Sequence, residues 1–198
     1  MTKGNRGVDS VNERWAAVLG KGGSTVPPNT RLVLGDALLE EMVAHLRGYL
    51  PFEGAGLVSV LDEGQWTVGD AYYPVRNRDA SPTRFTMDPI DVLLAVQDME
   101  QRGRRLGAIV HSHPRTAAEP SPGDLVEATI PRALTVIVGF HPTVAVRAWR
   151  LLVDPSGAVT GAAETPIVRR QRVDRGSPVE HSRGGQYPLE RGSRIEGI

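Results

Sequence analysis

Leu106-Gly-Ala-Ile-Val110 runs directly into His111-Ser-His113 and, after Pro-Arg-Thr-Ala-Ala-Glu-Pro, into Ser121-Pro-Gly-Asp124. The first five residues are short and almost wholly apolar, the pattern of a strand inside a sheet. Residues i and i+2 of a strand project from one face, so His111 and His113 set their imidazoles side by side at the strand's C-terminal end. Ser121-Pro122 is helix-start grammar, a cap followed by a proline whose missing N–H costs nothing there. Asp124 then falls in the first turn, from which a carboxylate can turn back toward the strand end. Two neutral histidine nitrogens and one carboxylate leave a fourth tetrahedral position for water, the open arrangement of a catalytic zinc and not the closed set of a structural one.

Outward from this stretch, strands and helices mix without strict alternation. Asp36 is a candidate cap for a helix whose apolar residues Leu38, Leu39, Met42, Leu46 and Tyr49 recur at helical spacing, ending near Gly48. Residues 56–61 and 65–75 read as strands joined by an Asp62-Glu-Gly64 turn. Asp88-Pro89 opens a second helix with Ile90, Leu93, Leu94, Val96 and Met99 as its stripe, and Gly103 is its stop. The helix at Ser121 is expected to run to about Thr129, and residues 134–140 and 144–153 to form two last strands. The expectation is an α/β (α+β) fold, one mixed sheet flanked by helices in a single domain, not a doubly wound sheet. Residues 1–29 are expected to be a flexible arm, 30–160 the domain, and 161–198 an Arg- and Gly-rich disordered tail.

Composition bounds the function. The chain has 198 residues, enough for one domain with a sizeable core. Its 23 basic and 23 acidic residues balance, so no net charge favours nucleic acid or an anionic membrane as partner. There is no cysteine, which excludes disulfides, thiolate nucleophiles and Cys-ligated zinc; a metal must be held by His, Asp, Glu or water. No run approaches the ~20 apolar residues of a membrane span, nor does the N-terminus carry a signal-peptide core, so a cytoplasmic protein is expected.

His-x-His, seven residues, Ser, two residues, Asp is the motif of the JAMM (MPN-plus) zinc metalloproteases, and His111, His113, Ser121 and Asp124 match it throughout. Glu53-Gly-Ala-Gly56-Leu-Val58 resembles the Glu-x-x-Gly-apolar-apolar context of that family's catalytic Glu. Asn77 through Arg84-Phe85-Thr86-Met87-Asp88-Pro89 is similar to the Asn-bearing loop and Asp-Pro helix start of bacterial JAB-type members. The resemblance spans roughly residues 31–153. It implies a curved MPN/JAB-like sheet, one Zn2+ per chain held by His111, His113 and Asp124, Glu53 as general base, and Ser121 stabilising the oxyanion. It also implies hydrolysis of a peptide or isopeptide bond after the C-terminal Gly-Gly of a ubiquitin-like or sulfur-carrier protein, by a monomer or a homodimer. The short loop between His113 and Ser121 favours a simple bacterial carrier.

Each residue also has a plainer reading. A His pair alone is more often packing than ligation; Ser-Pro-Gly-Asp is a routine helix start; and a Glu before a strand is usually only solvated. Only the family context separates Glu53 from Asp62, Glu63 or Glu119. His45, His141 and His181 have no spaced partner. Trp66, Tyr72 and Tyr73 suit core packing better than a substrate groove. A noncatalytic MPN-type scaffold and a zinc hydrolase of a small molecule are the alternative functions.

Overall fold

The computed structural model describes residues 26–126, 130 and 132–171. In chain order it contains β1 (Arg31–Gly35), α1 (Asp36–Arg47), β2 (Ala55–Glu63), β3 (Trp66–Val75), α2 (Pro89–Gln101), β4 (Arg105–His113), α3 (Pro122–Val126), β5 (Leu134–Gly139), β6 (Ala145–Val153), β7 (Val159–Thr165) and β8 (Ile167–Arg170). The eight strands form one sheet in the order β7-β6-β5-β4-β2-β3-β1-β8. β4 runs parallel to β5, and β1 parallel to β3 and β8, while the other pairs are antiparallel. This is the mixed sheet flanked by helices that the pattern implies. Among the described residues no helix is long and apolar enough to cross a membrane.

The sheet's two faces are covered by different helices. Leu39, Met42 and Leu46 of α1 pack with Val58, Val60, Ala108 and Val110, whereas Val92, Ala95, Val96 and Met99 of α2 pack with Leu57 and Val75. Leu57 and Val58 are neighbours on β2 and face opposite ways, as the period of two requires. β2 and β4 are therefore buried on both faces, which explains their unbroken apolar runs. Met42 and Leu46 are fully buried, each contributing about 1.5–3 kcal/mol of hydrophobic free energy. Gly64 closes the β2–β3 hairpin with φ +65°, a left-handed conformation that a side chain disfavours.

Four expectations change. The buried face of α2 is Val92, Ala95, Val96 and Met99, while Ile90, Leu93 and Leu94 of the expected stripe are exposed, because packing on Leu57 and Val75 sets which side of the helix turns inward. Asp36 does not cap α1; Gly35 does, without a side-chain bond, and Asp36 instead pairs with Arg169 of β8 at 2.8 Å. Within the arm expected over 1–29, Val26 is buried in the core and the Thr30 N–H bonds the Pro27 carbonyl; residues 1–25 lie outside the described residues. Within the tail expected over 161–198, β7 and β8 carry order to Arg170 and Thr165 is buried. Small residues and broken periodicity hide β7, and β8 exists because β1 lies alongside to supply its hydrogen bonds, so tertiary pairing outweighs local propensity. Residues 172–198 lie outside the described residues. α3 is described only to Val126, and the expected continuation over 127–129 also falls outside.

Candidate metal centre

β4 extends three residues past the expected Val110, so both histidines are strand residues, held in register by β5 (His111 opposite Ile137, His113 opposite Gly139). On the other side, β2 pairs Ala55 with His111. The ladder continues one step beyond β2: the Ser112 N–H donates to the Gly54 carbonyl at 3.1 Å, and the Gly54 N–H donates to Ser112 Oγ at 2.8 Å. That step sets Glu53 beside His113, and antiparallel neighbours project from the same face. Glu53 is only 4% exposed, and its charge reaches His113. The other carboxylates of the sequence reading lie elsewhere: Asp62 pairs with Arg105 and Glu119 with Arg147, both at the surface.

His111 Nε2 and His113 Nε2 stand 3.1 Å apart, 3.2 and 3.3 Å from the two oxygens of Asp124. One donor atom from each residue can be chosen so that all lie within 4.8 Å of one another. Zinc–nitrogen bonds of ~2.0–2.1 Å in a tetrahedron imply donor–donor edges of about 3.3 Å, so this donor set fits zinc in both chemistry and spacing. The His113 Nδ1 lies 3.0 Å from the Ala117 carbonyl, an arrangement that puts the ring proton on Nδ1 and leaves Nε2 as the lone-pair donor.

The electrostatics suit a cation. Burial pushes His111 below its ordinary pKa, with Asp124 offsetting part of the shift, so the ring is neutral near pH 7. Burial also pulls His113 down, but the Asp124 bond, the Ala117 carbonyl and the charges of Asp124 and Glu53 together carry it above its ordinary value. Burial tends to raise Asp124, yet the two imidazoles and the Ser121 N–H outweigh that and hold it far below the usual carboxylate range. A bound cation would take over the work of a proton on His113.

Ser121 and Asp124 bond each other reciprocally. The Ser121 N–H donates to Asp124 Oδ2 at 2.6 Å, and the Asp124 N–H donates to Ser121 Oγ at 3.2 Å. This is a helix-capping arrangement that also holds the carboxylate against the histidines, so a cap role and a ligand role are compatible. Ser121 Oγ accepts in this pair, which leaves its own proton to donate.

Four further supports surround the site. Gly139 lets the 116–118 backbone lie against β5: an added Cβ would sit 2.6 Å from the Ala118 nitrogen. A lone glycine in an apolar strand is a sign of such close approach. Trp149 Nε1 donates to the Ala118 carbonyl at 3.0 Å, and Arg147 lies over the Trp149 ring while pairing with Glu119 and Glu164, so β6 braces the same loop. Phe85 stacks on His111 with ring centroids 4.7 Å apart. Asn77 Nδ2 donates to the Glu53 carbonyl at 2.8 Å, tying that loop to the site. His45 bonds Tyr72, Tyr73 bonds Asp98 and Trp66 lies beneath Arg31, all packing roles.

Residues 35–152 match the family of prokaryotic homologs of the JAB domain. The chain is 41% identical over 92 residues to the probable TtuB-protein conjugate cleaving protease of Thermus thermophilus, covering 46% of this chain and 59% of that one. It is 33% identical over 107 residues to the CysO-cysteine peptidase of Mycobacterium tuberculosis, covering 54% and 72%. A solution structure of a Desulfitobacterium hafniense protein shares the fold with a TM-score of 0.62 at 32% identity, covering 72% of this chain and 95% of that one.

Proposed function

Because the chain belongs to the family of prokaryotic homologs of the JAB domain, we propose that it is a zinc-dependent peptidase or isopeptidase that cleaves after the C-terminal Gly-Gly of a sulfur-carrier or ubiquitin-like protein. The observation that carries this reading is the convergence of His111, His113 and Asp124, with a buried Glu53 beside them. The substrate class rests on the two relatives, one named for cleaving TtuB–protein conjugates and the other for acting on CysO-cysteine.

His111 and His113 through Nε2, with a carboxylate oxygen of Asp124, would hold the zinc. When bound, zinc supplies Lewis acidity, lowering the pKa of water from 15.7 toward about 7 and polarising the scissile carbonyl. Glu53 accepts the proton of the attacking water and returns it to the leaving amine. Its backbone is held at both ends, N–H to the Ser81 carbonyl at 2.9 Å and carbonyl to Asn77, so the carboxylate acts from a fixed base. Ser121 donates its hydroxyl proton to the carbonyl oxygen as that oxygen gains charge, a contact worth about 10²–10³ in rate in comparable sites.

The test uses the full chain, its zinc content and mass analysis of fusions to carrier proteins that end in Gly-Gly. The wild type is expected to take up about one zinc per chain. Glu53→Gln should keep the metal and lose about 10²–10⁴ in kcat. Asp124→Ala should lose metal and cleavage together. A metal-free preparation that cleaves at full rate, or a Glu53→Gln chain as fast as wild type, refutes the proposal.

A further inference from the structure

The two histidines are oriented by different devices. His113 is held by a hydrogen bond from its ring to the Ala117 carbonyl, the usual arrangement behind a metal ligand. The Nδ1 of His111 is buried and has no hydrogen-bond partner among the described residues, and the residue as a whole is only 1% exposed. An imidazole rotates about its Cβ–Cγ bond between two broad orientations, only one of which presents Nε2 to Asp124. Against His111 lies the Phe85 ring, tilted by only 22° from parallel. Rotation of the imidazole must pass through a geometry perpendicular to that stack, which Phe85 obstructs.

The loop that carries Phe85 is itself fastened. Asn77 Oδ1 accepts the N–H groups of Asp79 and Thr86, each at 2.9 Å, while its Nδ2 donates to the Glu53 carbonyl. The Arg78 N–H donates to the Thr86 carbonyl at 2.8 Å, and Asn77 pairs with Met87 as an isolated bridge. Thr86 is the residue after Phe85, so the side chain that clamps the loop also fixes the height at which the ring meets His111. We propose that Phe85 is a positioning residue for the metal site, holding the His111 imidazole with Nε2 toward the metal, and that Asn77 acts on His111 through Phe85. This rests on reading His111 as a metal ligand. It couples one ligand and the general base to a single loop, since the same Asn77 holds the Glu53 backbone.

The experiment measures zinc dissociation constants of the full chain by competition with a chromogenic chelator, alongside thermal unfolding of each metal-free chain. Phe85→Leu keeps apolar bulk but removes the flat face, and is expected to weaken zinc binding by about tenfold, the low end of what outer-shell partners give. Phe85→Tyr restores the flat face and should bind as the wild type does. Asn77→Ala should weaken binding comparably, and the Asn77→Ala/Phe85→Leu double variant no further than Phe85→Leu alone, because the two act in series. Equal zinc affinity in wild type and Phe85→Leu, or failure of Phe85→Tyr to recover it, overturns the role of Phe85. Additive losses in the double variant overturn the serial role of Asn77. A wild-type chain that takes up no zinc overturns the reading of the site itself. Should Phe85→Leu fail to fold, the contrast of Phe85→Tyr with Asn77→Ala decides the matter.

Discussion

Gly139→Ala places one methyl group where the backbone of the 116–118 loop already lies. The new Cβ would sit 2.6 Å from the Ala118 nitrogen, 2.9 Å from the Ala117 carbonyl carbon and 3.0 Å from the Thr116 oxygen. All three are backbone atoms, so no rotamer change relieves the clash. Restoring the 3.4 Å of ordinary contact requires the loop to retreat by about 0.8 Å. The Ala117 carbonyl is 3.0 Å from His113 Nδ1, and a retreat of that size carries it past hydrogen-bonding range. Overpacking of this kind costs about 1–3 kcal/mol. At ~2–4 °C per kcal/mol for a chain of this length, a cost of about 2 kcal/mol lowers the metal-free Tm by about 4–8 °C. Loss of the His113 partner should also weaken zinc by about tenfold. Calorimetry of the metal-free chain and chelator competition read the two effects separately. Gly123→Ala is the control, since its Cβ would meet only Ser121 Oγ at 3.6 Å, an ordinary contact. A Gly139→Ala chain whose Tm and zinc affinity match those of Gly123→Ala refutes the reasoning.

Arg147 holds Glu164 below its ordinary pKa of 4.5. A depressed folded value means that this pairing stabilises fully above the unfolded pKa and is lost as pH falls through the folded one. Arg147→Ala should therefore differ most from wild type in urea midpoint at neutral pH, by about 1 kcal/mol or less because the pair is half exposed, and the gap should close in acid. A gap that widens on acidification would contradict the assignment. A chain cut after Thr160 loses most of β7 and all of β8, exposing the β1 edge; it should unfold at a markedly lower urea concentration than one cut after Gln171. Equal midpoints would mean that β8 contributes nothing to the fold.

Much of this molecule is readable from local pattern. The α1 stripe, the Asp88 cap, the Gly64 turn and the apolar run into His111 all follow from short-range chemistry, in which each residue's neighbours in the chain are also its neighbours in space; the α2 face does not, because the sheet it packs on selects Val92 and Ala95 over Ile90, Leu93 and Leu94. The Asp88 side chain accepts the Ile90 and Asp91 N–H groups, as its position before Pro89 implies. His111, His113, Ser121 and Asp124 were legible for the same reason: one strand and one helix start within fourteen residues bring them together.

What the local pattern could not settle depends on partners distant in the chain. Arg31–Gly35 and Ile167–Arg170 carry weak signals, and each becomes a strand because neighbours distant in the chain supply its hydrogen bonds, β3 and β8 for the first and β1 for the second. Glu53 looks like any loop carboxylate until the β2–β4 register sets it opposite His113, 60 positions away. Ala117 and Gly139 carry no motif, Phe85 lies in a resembling loop that assigns it no role, and all three act only where the folded chain presses a ring or a carbonyl against a histidine. The sequence by itself determined which atoms can bind a metal, because donor type and spacing are covalent properties of the chain. Only the tertiary structure decided how those atoms are held, because orientation is imposed by contacts that exist after the sheet has closed.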